Sequence, residues 1–69
     1  MRKTRLLELR IDNDKTQKEI SAYLGIKQQQ YSRYERDEYP IPIEHLIKIA
    51  KYYNVSTDYI IKVLRMLGE

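Results

Sequence analysis

The stretch that decides the fold is residues 16–36: Thr16-Gln17-Lys18-Glu19-Ile20-Ser21-Ala22-Tyr23-Leu24-Gly25-Ile26-Lys27-Gln28-Gln29-Gln30-Tyr31-Ser32-Arg33-Tyr34-Glu35-Arg36. Thr16 and Glu19 have the spacing of a capping box. The threonine hydroxyl accepts from the Glu19 amide, and the glutamate side chain reaches back to the Thr16 amide. A helix over about 16–24 follows, with Ile20 and Leu24 four apart on its inner face. Gly25 stops it, because the residue after a helix often needs a positive φ that glycine adopts without steric penalty. After the turn Gly25-Ile26-Lys27, a second helix is predicted over about 28–36. At about 100° per residue, Tyr31, Tyr34 and Glu35 share one face, while Gln29, Ser32, Arg33 and Arg36 gather on the other. Gln28 and Gln30 lie on the flanks. Ser21, beside Ala22, supplies the small residue that two crossing helices need at their contact.

Working outward, a helix over about 3–12 puts Leu6 and Leu9 on its core face and Arg10 at the edge of that face. Asn13-Asp14 ends it, and both residue types tolerate a left-handed backbone. Downstream, Tyr39-Pro40-Ile41-Pro42 is a rigid connector, and Pro42 suits the first turn of a fourth helix. That helix reaches about residue 53, with Ile43, Leu46, Ile49, Ala50 and Tyr53 at core spacing and Asn54 as its terminal residue. Ser56 caps a fifth helix, and Asp58 sits at its positive end. The fifth helix is predicted to run to about residue 67. No segment alternates with period two, so no strand is expected. The pattern predicts an all-α, compact five-helix bundle forming a single domain over 1–69.

Composition removes several classes of function. The chain has no cysteine, which excludes disulfides and thiolate metal sites. His45 is the single histidine, so no metal is expected, and nothing pairs with it as a nucleophile. Asp12 and Asp14 sit in a polar turn, where raised pKa values are not expected. The chain therefore reads as non-enzymatic, without cofactors or a small-molecule substrate. No apolar run is long enough to span a membrane. The start, Met1-Arg2-Lys3, leads into an amphipathic stretch rather than an apolar signal core, so the expected location is cytoplasmic.

Charge points toward a polyanion. Residues 1–36 carry nine Lys/Arg against five Asp/Glu, and residues 37–69 carry four against five. The positive field is thus on the first half, where a phosphate backbone would be drawn. A domain this small buries only about 60% of its unfolded surface, so a partner subunit would add stability. The fifth helix offers one. Ile60, Leu64 and Leu67 can pack inward, leaving Ile61 and Met66 directed elsewhere. This predicts a two-fold homodimer interface built from Ile61, Leu64, Met66 and Leu67. A frayed end with a few exposed apolar residues is the competing reading.

Thr16-Gln17-Lys18-Glu19-Ile20, Leu24-Gly25-Ile26, Tyr31-Ser32-Arg33-Tyr34-Glu35-Arg36, Leu46-Ile47-Lys48-Ile49-Ala50 and Asn54-Val55-Ser56-Thr57-Asp58-Tyr59 occur in this order and spacing. Over about residues 5–61 the chain resembles the phage repressor/Cro-type helix-turn-helix family, also called the XRE family of bacterial regulators. The resemblance implies a lambda-repressor-like DNA-binding fold and a transcriptional regulator, a repressor, bound as a homodimer to a palindromic operator of double-stranded DNA. The helix over 28–36 would enter the major groove, its dyad mate lying about 34 Å away. Gln28, Gln29 and Arg33 match base-reading positions, and Ser32 shares their face. Gln17 matches a residue that contacts phosphate and braces the first residue of the reading helix. Lys27 matches a backbone-contacting position, and Arg10 and Glu35 match a structural ion pair.

The side-chain chemistry agrees with these roles. Glutamine suits the N6/N7 edge of adenine, and arginine suits the O6/N7 edge of guanine. Lys18, Lys27 and Arg36 would add salt-sensitive, sequence-blind contacts to phosphate. Some positions depart from the family pattern. Asp14 stands where glycine is usual, Lys15 where an apolar residue is, Ser21 for alanine, and Tyr31 for Ile or Val. Asp37 and Glu38 replace a glycine and a basic residue. Acids there repel phosphate, although Tyr39 can still donate its hydroxyl to one. These acids keep open an alternative, a protein-interaction module or antitoxin-type partner that has kept the fold.

Overall fold

Five helices follow one another along residues 4–61, the part of the chain that the computed structural model describes: α1 (Leu6–Asp12), α2 (Gln17–Leu24), α3 (Gln28–Glu35), α4 (Ile43–Tyr53) and α5 (Thr57–Ile60). The capping box forms as its spacing requires. Thr16 Oγ1 accepts from the Glu19 amide at 3.1 Å, and Glu19 Oε1 accepts from the Thr16 amide at 2.9 Å. Gly25 closes α2 at φ +75°, in the left-handed region, and Ile26 N–H then donates to Ser21 O. That closure reverses the chain and lays α3 against α2, the most extensive helix pairing in the fold. Ser21 is buried at 3% exposure, as a close helix crossing demands.

α1 packs on α3, α4 on α2, and α5 on α4. Between them lie Leu6, Leu9, Ile20, Leu24, Tyr31, Tyr34, Leu46, Ile49, Ala50 and Ile60. The second and fourth helices are also joined by tyrosine. The Tyr23 hydroxyl donates to Lys48 O, and the Tyr23 and Tyr52 rings lie 4.6 Å apart. Ser56 caps α5 by accepting from the Tyr59 amide, and Asn54 ends α4 at φ +58°.

Four details differ from the sequence-based expectation. α1 begins at Leu6 rather than residue 3, because the segment before it is taken up elsewhere. The Arg5 amide donates to Ile60 O at 2.7 Å, and Thr4 pairs with Ile61 in an isolated antiparallel bridge. One paired residue on each side is too short to leave a period-two pattern. α5 stops at Ile60, and Ile61 is extended at φ −95°, ψ 95°. Its expected continuation, with Val63, Leu64, Met66 and Leu67, lies outside the described residues. Pro42 is the residue preceding α4 rather than part of its first turn. Ile43, placed in the core by its spacing, is 64% exposed. It sits in the first turn, outside the described core cluster that Leu46, Ile49 and Ala50 join.

Asp14 and Asp37 adopt φ of +56° and +59°. These are the two positions where glycine was expected from the resemblance, and the backbone explains the preference. A side chain in the left-handed region is strained, although aspartate is among the residues that tolerate it. Asp14→Gly is expected to raise Tm by roughly 2–4 °C, relief of strain outweighing glycine's extra unfolded-state freedom. Calorimetry that finds no rise would show that the turn carries no strain.

Candidate nucleic-acid interface

α3 is anchored from below. Tyr31, Tyr34 and Glu35, three residues on one helix face, are 0%, 4% and 3% exposed. The two rings meet edge to face at 6.4 Å, a favourable aromatic geometry. Glu35 ends α3 as a buried carboxylate on which three elements converge. Arg10 of α1 donates to it twice, from Nε at 2.6 Å and from a terminal nitrogen at 3.2 Å. Gln17 of α2 donates its amide at 3.0 Å. Arg10 also reaches Lys15 O, holding the turn between α1 and α2. The Tyr31 hydroxyl makes no hydrogen bond of full geometry, yet it lies close enough to interact with the Glu35 charge. This is the neighbour that the larger ring at position 31 requires.

Electrostatics follow from this arrangement. Burial works to raise the Glu35 pKa, but the hydrogen bonds from Arg10 and Gln17, with the nearby Tyr31 hydroxyl, outweigh it and hold the carboxyl below its usual range. The same pairing raises Arg10. Burial and then the Glu35 charge push the Tyr31 hydroxyl up, so it stays protonated. A carboxyl depressed in the folded state stabilises the fold above its unfolded pKa and loses that contribution as pH falls through the folded value. Tm is therefore expected to be flat near neutrality and to fall below about pH 4.5. Glu35→Gln should flatten that acid limb; an unchanged limb would place the acid sensitivity elsewhere.

The opposite face of α3 is open to solvent. Gln28, Gln29, Arg33 and Arg36 are exposed, and Ser32 is half-buried between them. Gln29 and Arg33, four apart, form a ridge that walls two open grooves. One, of about 490 Å³, is also lined by Lys27, Gln30, Tyr34 and Tyr39. The other, of about 480 Å³, is lined by Gln17, Gln28, Ser32 and Arg36. Most of the residues singled out for DNA thus meet on one surface. Lys18 is exposed but lines neither groove. Gln17 stands in the second groove with Gln28, but its amide donates to Glu35, a charged acceptor, instead of bracing Gln28. Ile61, expected to face away from the domain, is half-buried against the edge of the core.

Four contacts had no counterpart in the reading of the sequence. Glu38 pairs with Arg36 at 3.3 Å, so one acid of the loop after α3 offsets a cation of the surface. Gln30 donates to the Tyr34 hydroxyl at 3.0 Å, which in turn meets His45 Nδ1 at 3.3 Å. The four-residue spacing of Gln30 and Tyr34 was the available signal for that pair. The Arg33 guanidinium lies over the Tyr39 ring, 5.3 Å from its centroid. No helical spacing could have announced this contact, because Tyr39 lies beyond the helix. Among the described residues, no helix is long and apolar enough to cross a membrane.

A capped helix, a left-handed glycine turn and a second helix with a buried underside and a polar outer ridge are the parts of a helix-turn-helix. The sequence profile of that family matches residues 6–60, and the chain belongs to it, in the Cro/C1-type branch. Among characterised sequences it is similar to the HTH-type transcriptional regulator ImmR of Bacillus subtilis (strain 168). The two are 42% identical over 57 residues, covering 83% of this chain and 45% of that protein. It is also similar to the uncharacterized HTH-type transcriptional regulator YobD of the same organism, 33% identical over 57 residues, 83% of this chain and 51% of that one. The chain spans about half the length of these relatives.

Proposed function

We propose that this domain binds double-stranded DNA sequence-specifically and regulates transcription as a repressor, acting as a homodimer on a palindromic operator. The observation that carries the reading is the Gln29–Arg33 ridge, exposed between two grooves and underpinned by buried Tyr31, Tyr34 and Glu35. In this reading α3 enters the major groove. Gln28, Gln29 and Arg33 read base edges with Ser32 beside them, while Gln17, Lys18, Lys27, Arg36 and the Tyr39 hydroxyl approach phosphates. The relatives named as transcriptional regulators support it. The domain supplies recognition and no bond-making chemistry, so its effect on a promoter would come from occupancy.

Selection on a randomised duplex library tests this. Repeated enrichment of one palindrome is expected, with affinity falling steeply as salt rises, because neutralised phosphates release counterions. If no sequence is enriched, the interaction-module reading, which the Arg36–Glu38 pair favours, takes its place.

The homodimer is tested separately. Light scattering over micromolar concentrations is expected to show association through Ile61, Leu64, Met66 and Leu67. Met66→Asp is the variant of choice, since Ile61 also packs on the core and its loss would disturb the fold. A mass that stays monomeric at every concentration would remove the two-fold operator with it.

A further inference from the structure

The loop after α3 folds back onto the helix it leaves. Asp37 turns the chain at φ +59°, and the amides of Glu38 and Tyr39 both donate to Arg33 O, at 2.9 and 3.4 Å. Pro40 restricts the backbone of Tyr39 to extended conformations. The Tyr39 ring is thereby delivered to the Arg33 guanidinium, whose carbon lies 5.3 Å from the ring centroid. Glu38, an acid of this loop, is engaged by Arg36.

We propose that Tyr39 is a positioning residue for base recognition: its ring holds the Arg33 guanidinium on the reading ridge, ready for the major-groove edge of a G·C pair. The inference rests on the function proposed above. Contact with an aromatic ring engages the delocalised charge of the guanidinium and uses none of its five N–H donors. Among the described residues nothing accepts a hydrogen bond from the Arg33 guanidinium or forms an ion pair with it, which leaves those donors for O6 and N7 of guanine. A long side chain that is already held loses less conformational freedom on meeting a base, which is how preorganisation improves binding. This role differs from donation of the Tyr39 hydroxyl to a phosphate, which would act on every sequence alike.

Two variants separate the roles. Tyr39 is 53% exposed, so replacing it should leave the fold intact, which a thermal melt verifies. Tyr39→Phe keeps the ring and removes the hydroxyl; Tyr39→Leu removes the ring. In duplex selection, Tyr39→Leu is expected to lower the preference at one base pair per half-site by about three- to fivefold. Tyr39→Phe should retain that preference. By NMR without DNA, the Arg33 side-chain resonances should be ring-shifted in the parent and in Tyr39→Phe, and unshifted in Tyr39→Leu. Equal losses in both variants, or a uniform loss over all sequences in Tyr39→Leu, would overturn the proposal. Arg33 resonances indifferent to position 39 would overturn it too. A parent that enriches no sequence while its ring shift is present would instead bring down the DNA-binding function, and this role for the contact with it.

Discussion

Glu35→Ala is expected to remove most of the stability of the domain, with a loss of about 3–5 kcal/mol. A chain of this length has of the order of 3–10 kcal/mol in total, so the variant should be largely unfolded at physiological temperature. The cause is what remains behind. Arg10, with its side chain only 17% exposed, and the Gln17 amide would both lose their acceptor. Arg10→Ala should be comparably damaging, because it strands a carboxylate that is 3% exposed. An apolar pair, Arg10→Met with Glu35→Leu, should be less damaging than either single change, since no buried charge is left unpaired. Urea melts followed by circular dichroism would measure all three. A Glu35→Ala loss under about 1 kcal/mol would mean that the network only decorates a fold held by its apolar core.

Arg33→Ala should do the reverse, leaving the fold untouched and changing what it reads. Its guanidinium is exposed, and no described residue depends on it for a hydrogen bond or ion pair. Loss of a bidentate base contact is expected to lower discrimination by about 1–3 kcal/mol at one base pair in each half-site. Preference elsewhere in the operator should persist. Lys27→Ala is the control, since a lysine that meets phosphate weakens all sequences alike and reduces the salt slope by about one. Parallel duplex selections at two salt concentrations distinguish the two patterns. If Arg33→Ala instead lowers affinity evenly across sequences, Arg33 is a phosphate ligand and the reading ridge must be sought among Gln28 and Gln29.

Those predictions divide between what local sequence states and what distance along the chain conceals. The capping box at Thr16 and Glu19, the left-handed stop at Gly25, the buried trio Tyr31, Tyr34 and Glu35, and the Ser56 cap are each settled within a few residues. Spacing at 3.6 residues per turn and the steric demands of a positive φ were enough to read them. The exposed face of α3 followed from the same geometry, since a helix with one buried face must present the other.

Tertiary structure decided the remainder. Ile43 has core spacing but is mostly exposed among the described residues, because periodicity assigns a face and cannot say how far the neighbouring element extends. The bridge of Thr4 with Ile61 joins the two ends of the described chain, and it took the first residues out of α1. Gln17 lines a groove with Gln28, yet its amide goes to the buried Glu35 carboxylate, the charged acceptor. The Arg33–Tyr39 contact exists because a left-handed Asp37 folds a loop back over the helix. Backbone preference acts over one turn and can be read from types and spacing. Which side chain meets which across elements depends on the competition of all neighbours for the same space and charge, and only the assembled fold resolves it.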